Sequence, residues 1–123
     1  MSEYAEQKTL IAWFREKYPK FAKCTRLSLN GVNLPSGKKA AIMINQFKTQ
    51  GMVKGEADLF FAIPNKSHSG LFIEMKDHGK TTTPLQDEYL EMMASIGYQA
   101  EVCIGAEHAK KILTAYMSLV TIH

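Results

Sequence analysis

Apolar positions along the chain change period several times, and each change marks an element. From Glu3 to Lys17, Leu10, Ile11, Trp13 and Phe14 recur at helical spacing, and Pro19, just beyond Tyr18, closes the pattern. In "TRLSLNGVNL", Leu27 and Leu29 alternate with polar residues before the turn-forming pair Asn30-Gly31, which predicts a short strand or hairpin. Ser36 is placed to cap a second helix, whose apolar positions Ala40, Met43, Ile44 and Phe47 share one face and which Gly51 stops. "ADLFFAIP" and "GLFIEMK" are short aromatic-rich runs separated by "NKSHS", the pattern of an antiparallel hairpin in the middle of a sheet. Thr83-Pro84 opens a third helix with Leu85, Tyr89, Met92, Met93 and Ile96 along one side and Gly97 at its end. "YQAEVCIG" reads as a further strand, and a last helix from about Ala106 carries Ile112, Leu113, Tyr116, Leu119 and Val120. The predicted fold class is α/β, a small mixed sheet flanked by helices.

Composition narrows the function classes more than it picks one. A chain of 123 residues with 46% apolar and 22% charged residues fits one globular domain, 1–123, with a single core. No apolar run approaches the roughly 20 residues of a membrane span, and "MSEYAEQK" lacks the basic and apolar parts of a signal peptide, so the expected location is cytoplasmic, with no membrane partner. Cys24 and Cys103 have no metal-type spacing and read as reduced, mostly buried thiols. The net charge of +3 permits a polyanionic partner without requiring one.

The chemistry-bearing stretch is "GLFIEMKDHGK", residues 70–80. Strand side chains alternate, so Phe72, Glu74 and Lys76 share one face, while Leu71, Ile73 and Met75 form a wholly apolar face that should pack on helices. A hairpin closing symmetrically about residue 67 places Asp58 opposite Lys76 and diagonal to Glu74. Two carboxylates drawn together repel and resist desolvation unless a cation lies between them. Oxygens from Asp58 and Glu74, with the backbone carbonyl of Met75 and water, suit Mg²⁺ or Mn²⁺, and Lys76 can hold a water or an anionic oxygen beside the metal. Those parts match the needs of phosphodiester hydrolysis. An ordinary charged pair on a half-solvated strand, with Asp58 capping the strand entrance after Gly55, is the other reading of the same residues.

The ordered set "GEAD", "EMK", a polar loop, Gln86 early in the next helix and "GYQAEVCIG" resembles the virus-type replication-repair nuclease family, VRR-NUC, of the PD-(D/E)XK superfamily. The resemblance covers residues of about 27 to 105 and implies a restriction-endonuclease-like core. It also implies a metal-dependent DNA nuclease in which Asp58 and Glu74 bind Mg²⁺ or Mn²⁺, Lys76 assists the nucleophilic water, and Gln86 orients water or phosphate. Thr83-x-x-Gln86 is equally a capping box, and the two roles are compatible. The superfamily often adds an acid from the first helix, here Glu6 in preference to Glu3. Lys54 and Lys80, on flanking loops, are candidates for DNA phosphates. His68 and His78 read as surface residues, and Trp13 as core. By family analogy the substrate is branched or structured DNA, a junction or flap, in phage or prophage replication and repair, cut by a homodimer; the alternative is a DNA-binding module of the same fold that does not cut.

Overall fold

The computed structural model describes residues 2–28 and 36–121. Helix α1 (Glu3–Lys17) begins where the Ser2 hydroxyl accepts the Ala5 N–H, carries Glu3 and Glu6 in its first turn and Arg15 and Lys17 in its last, and ends at Tyr18 before Pro19. A 3-10 turn (Pro19–Cys24) then feeds strand β1 (Thr25–Leu27). The Asn30-Gly31 turn lies outside the described residues. Helix α2 (Lys38–Thr49) starts from Gly37, at φ 80°, with no side-chain cap, so Ser36 does not play the capping part expected of it. The α2 stripe Ala40, Met43, Ile44 and Phe47 is half-buried and no residue of the helix is fully buried.

Strands β2 (Leu59–Phe61) and β3 (Leu71–Lys76), helix α3 (Pro84–Ser95), strand β4 (Gln99–Ile104) and helix α4 (Gly105–Met117) follow. The four-stranded sheet runs β1-β2-β3-β4; the first two pairings are antiparallel, and β4 lies parallel to β3. A parallel neighbour needs a crossover, and α3 is that crossover. The sheet is mixed and flanked by helices, as the periodicity predicts.

The hairpin register differs from a closure about residue 67. Leu59 faces Ile73 and Phe61 faces Leu71, so the connection 62–70 is centred one residue earlier and Asp58, one step beyond Leu59, comes opposite Glu74 rather than Lys76. The Asn65 side chain sets this turn by accepting the N–H groups of Ser67 at 2.9 Å and His68 at 2.8 Å. Moving the centre by one residue moves the pairing by two, and with a side-chain period of two Asp58 stays on the face of Glu74.

The faces of the sheet have separate cores. Leu59, Phe61, Leu71, Ile73 and Met75 pack with Leu10 and Phe14 of α1 and with Ala109, Leu113 and Tyr116 of α4. On the other face Ala57, Phe72 and Leu90 are buried, with Phe60, Tyr89, Met93 and Tyr98 around them. The predicted α3 stripe is rotated: the helix turns Tyr89, Leu90 and Met93 inward and leaves Met92 and Ile96 56% and 58% exposed. In α4 the predicted Leu113 and Tyr116 are buried with Ile112 packed against the core, Ala106, Ala109 and Met117 join them, and Leu119 lies exposed beyond the helix end at Met117. Small alanines let α4 approach the sheet closely, which a stripe of large residues does not reveal.

Candidate functional site

Asp58 and Glu74 meet on the α3 side of the sheet, at the end of the hairpin away from its turn. Asp58 Oδ2 accepts the Met75 N–H at 2.8 Å. The loop before it is tied to β1, where Ser28 donates its N–H to the Asp58 carbonyl at 2.8 Å and its hydroxyl to Glu56 Oε1 at 3.0 Å. Gly55 supports the same loop from the other side: at φ 88° it presses on Leu85, where an added Cβ would lie 2.8 Å from the carbonyl carbon and oxygen. The start of α3 is thereby held against the strand that carries Asp58.

Glu74 is 2% exposed. Its Oε2 accepts Gln86 Nε2 at 3.3 Å and lies 3.6 Å from Lys76 Nζ, while its Oε1 is buried without a hydrogen-bond partner. Gln86 serves two elements at once: Oε1 accepts the Thr83 N–H at 2.9 Å, completing the capping box, and Nε2 faces Glu74. These side chains, with Glu3, Lys54, Glu56 and Thr83, line a cleft of about 390 Å³.

Burial, and then the negative charge of Asp58, push the Glu74 carboxyl up to about 8. Burial also raises Asp58, against the opposing pull of the Met75 N–H. The Lys76 ammonium favours ionised Glu74, but at 3.6 Å it does not offset desolvation and the second carboxylate. The two carboxyls together therefore resist carrying two negative charges, the mark of an acidic pair short of positive charge.

Among the described residues no group of three His, Cys, Asp or Glu side chains is arranged to hold a metal ion. The donor set still fits a hard divalent cation that retains several waters: two carboxylates side by side, one with a buried oxygen that nothing satisfies, and a cleft with room for water. Met75, buried on the opposite face, brings only its backbone to this side.

The structure places the first-helix acids differently from the sequence preference. Glu6 turns to α4, where its Oε2 accepts the Ala106 N–H at 2.5 Å and closes the N-terminus of that helix. Glu3, at the start of the same turn, lines the cleft and accepts the Asp77 N–H at 3.4 Å. Lys54 lies on the cleft wall, whereas Lys80 is exposed on the turn after β3 and does not line it. Glu56 and Thr83 are cleft residues to which the sequence reading gave no part in the site, although both belong to motifs it used, "GEAD" and the capping box. Cys24 and Cys103 are free thiols, and burial pushes Cys103 up to about 12, far from nucleophilic use. No described helix is long and apolar enough to cross a membrane.

Comparison with known proteins agrees with this geometry. The VRR-NUC domain model matches residues 1–107. No curated protein sequence matches the chain. A solved structure described as a VRR_NUC domain protein is similar, with a TM-score of 0.80 at 27% identity, over 98% of this chain and 91% of that one. With a family model spanning most of its length and the shared fold, the chain belongs to the VRR-NUC domain family, a family of nuclease type.

Proposed function

We propose that the protein is a metal-dependent DNA nuclease whose centre is Asp58, Glu74 and Lys76, with Gln86 and the Met75 carbonyl beside them. The observation that carries this reading is the apposition of Asp58 and Glu74 across the hairpin, with a buried Glu74 oxygen left unsatisfied and a lysine 3.6 Å from its neighbour. Asp58, Glu74 and the Met75 carbonyl would hold Mg²⁺ or Mn²⁺, whose chemistry is to acidify the attacking water and offset charge on the phosphorane. Lys76 orients the attacking water and adds positive charge near the phosphoryl oxygens. Gln86, pinned by its capping box, keeps the Glu74 carboxylate aimed into the cleft. Glu3 replaces Glu6 as the first-helix acid nearest the centre, and Lys54 is placed to meet a DNA phosphate.

The finer reading is endonucleolytic cutting of branched or structured DNA, such as a four-way junction or flap, during phage or prophage replication and repair in the host cytoplasm. One cleft per chain makes paired incision the work of a homodimer. The test is a panel of end-labelled junction, flap, single-stranded and duplex DNA incubated with Mg²⁺, Mn²⁺ or EDTA, using wild type and Glu74→Ala. Cleavage with either metal that is lost in EDTA and in Glu74→Ala is the expected result. Binding without cleavage under every condition would overturn it in favour of a non-cleaving DNA-binding module.

A further inference from the structure

Basic and acidic residues are segregated along this chain. Positions 7–55 contain ten of its 15 Lys and Arg residues but only one of its 12 Asp and Glu residues, Glu16. The fold gathers part of that excess at the β1 edge. Arg15 from the last turn of α1, Lys23 from the 3-10 turn and Arg26 from β1 line a pocket of about 500 Å³ that no carboxylate of the described residues lines. Among the described residues none of these three cations has a carboxylate within 4.0 Å, for the ion pairs there are Lys76–Glu74 and Lys110–Glu107. Cations that converge without a counter-ion raise one another's electrostatic energy, and an anion reverses that cost.

The position of the pocket relative to the cleft identifies the anion. Arg26 pairs with Phe60, which shares a face with Asp58 and Glu74. Arg26 is thus diagonal to Asp58, a relation that puts Cα atoms about 7–8 Å apart across an antiparallel pair. Helix α3 packs beside β4, so Arg26 stays exposed at the far margin of this face and Phe60 is only half-covered. In the other direction the outer surface of α3 exposes Asp87, Glu88 and Glu91, which repel a polyanion. Toward β1, by contrast, a phosphodiester chain seated at the carboxylates meets Arg26 at the sheet edge and, around that edge on the α1 side, Lys23 and Arg15. At about 3.4 Å of helix axis per nucleotide of one strand, the pocket is a few nucleotides from the cleft.

We infer that the Arg15, Lys23 and Arg26 pocket is a second phosphate site, which grips the DNA backbone a few nucleotides from the bond to be cut and sets the substrate's register on the cleft. This inference rests on the reading of the cleft as a nuclease centre. Arg26 and Lys23 act there through positioning, since neither lines the cleft that holds the carboxylates.

The experiment compares wild type, the double variant Lys23→Gln/Arg26→Gln and the charge-matched control Lys66→Gln/Lys111→Gln, two exposed lysines that line neither the pocket nor the cleft, after thermal unfolding has shown all three to be folded. Binding of fluorescein-labelled duplex and four-way junction is measured by anisotropy in EDTA between about 50 and 200 mM salt. The double variant is expected to bind about tenfold more weakly, with the slope of log Kd against log salt reduced by about two, while Lys66→Gln/Lys111→Gln matches wild type. On DNA with Mg²⁺ or Mn²⁺ the double variant should raise KM, leave kcat within about twofold and spread the positions of the cuts, because a uniform binding contact has been lost and register loosened. A double variant with the Kd and salt slope of wild type overturns the pocket and leaves the nuclease reading standing. Wild type that binds DNA but never cuts it overturns the nuclease reading, and the slope then decides the pocket alone. Failure of wild type to bind either DNA ends both.

Discussion

Strand β3 carries two different regions of this molecule on its two sides. Leu71, Ile73 and Met75 are 0–1% exposed and sit among the apolar side chains of α1 and α4. On the reverse, Phe72 joins a smaller aromatic cluster, and then Glu74 and Lys76 meet Asp58 in the cleft. Burial is just as deep at Glu74 as at Ile73, yet its sign is opposite: enclosing an isoleucine stabilises the fold, while enclosing a carboxylate beside a second one opposes it. One side of the strand thus supplies the free energy that lets the other hold an arrangement unfavourable by itself.

Four outcomes would sharpen or break that contrast. The largest effect is expected from Asp58→Asn and Glu74→Gln, which should each lower the rate of DNA cleavage by at least about a thousandfold, through loss of several kcal/mol of charge stabilisation, yet leave thermal stability equal or higher. Lower stability together with retained cleavage would reverse the assignment of the two sides. Next, Ile73→Ala should cost about 2–5 kcal/mol in urea unfolding while activity per folded molecule is kept.

The third outcome concerns pH. Glu74 is raised to about 8 in the folded protein, so between its ordinary range and that value the native state holds a proton that the unfolded chain has released. Native stability measured in EDTA should therefore fall by up to a few kcal/mol as pH rises from about 5 to 8 and level off above, and Glu74→Gln should flatten the profile. Addition of Mg²⁺ at pH 8 should recover most of the loss. A profile equally steep in Glu74→Gln would show that another group sets it. The smallest effect belongs to Gln86. Gln86→Ala removes half of the capping box and should cost about 1 kcal/mol, whereas Gln86→Glu keeps the acceptor for the Thr83 N–H but turns a carboxylate toward Glu74. Near-normal stability with reduced cleavage in Gln86→Glu would separate its two duties.

Much of this architecture was legible because local signals agree: helix caps, proline stops and the alternation of "LFIEMK" each act over a few residues. The sharing of one face by Asp58 and Glu74 was also legible, since it depends on parity alone. Their direct pairing was not, because a longer connection conceals its own centre; the Asn65 turn that places it is one of several possible in "NKSHS". The choice between Glu3 and Glu6 was beyond sequence for another reason. Both lie on the first turn of α1, and what diverts Glu6 is the N-terminus of a helix 100 residues later. The α3 stripe failed where neighbours fix the helix rotation, turning Leu90 inward in place of Met92 and Ile96, while in α4 the pattern missed Ala106 and Ala109, whose small size carries little hydrophobic signal.

The chain from Asp77 to Thr82 forms neither strand nor helix, and it joins the last residue of the β3 charged row to Thr83, the cap of the helix that carries Gln86. It borders the cleft without supplying its innermost oxygens, and most of it faces water. Residues there can be added or exchanged without moving β3 or the α3 cap. On the nuclease reading, this rim is accordingly the place where the shape of the admitted DNA can be altered while the carboxylate pair beneath stays fixed.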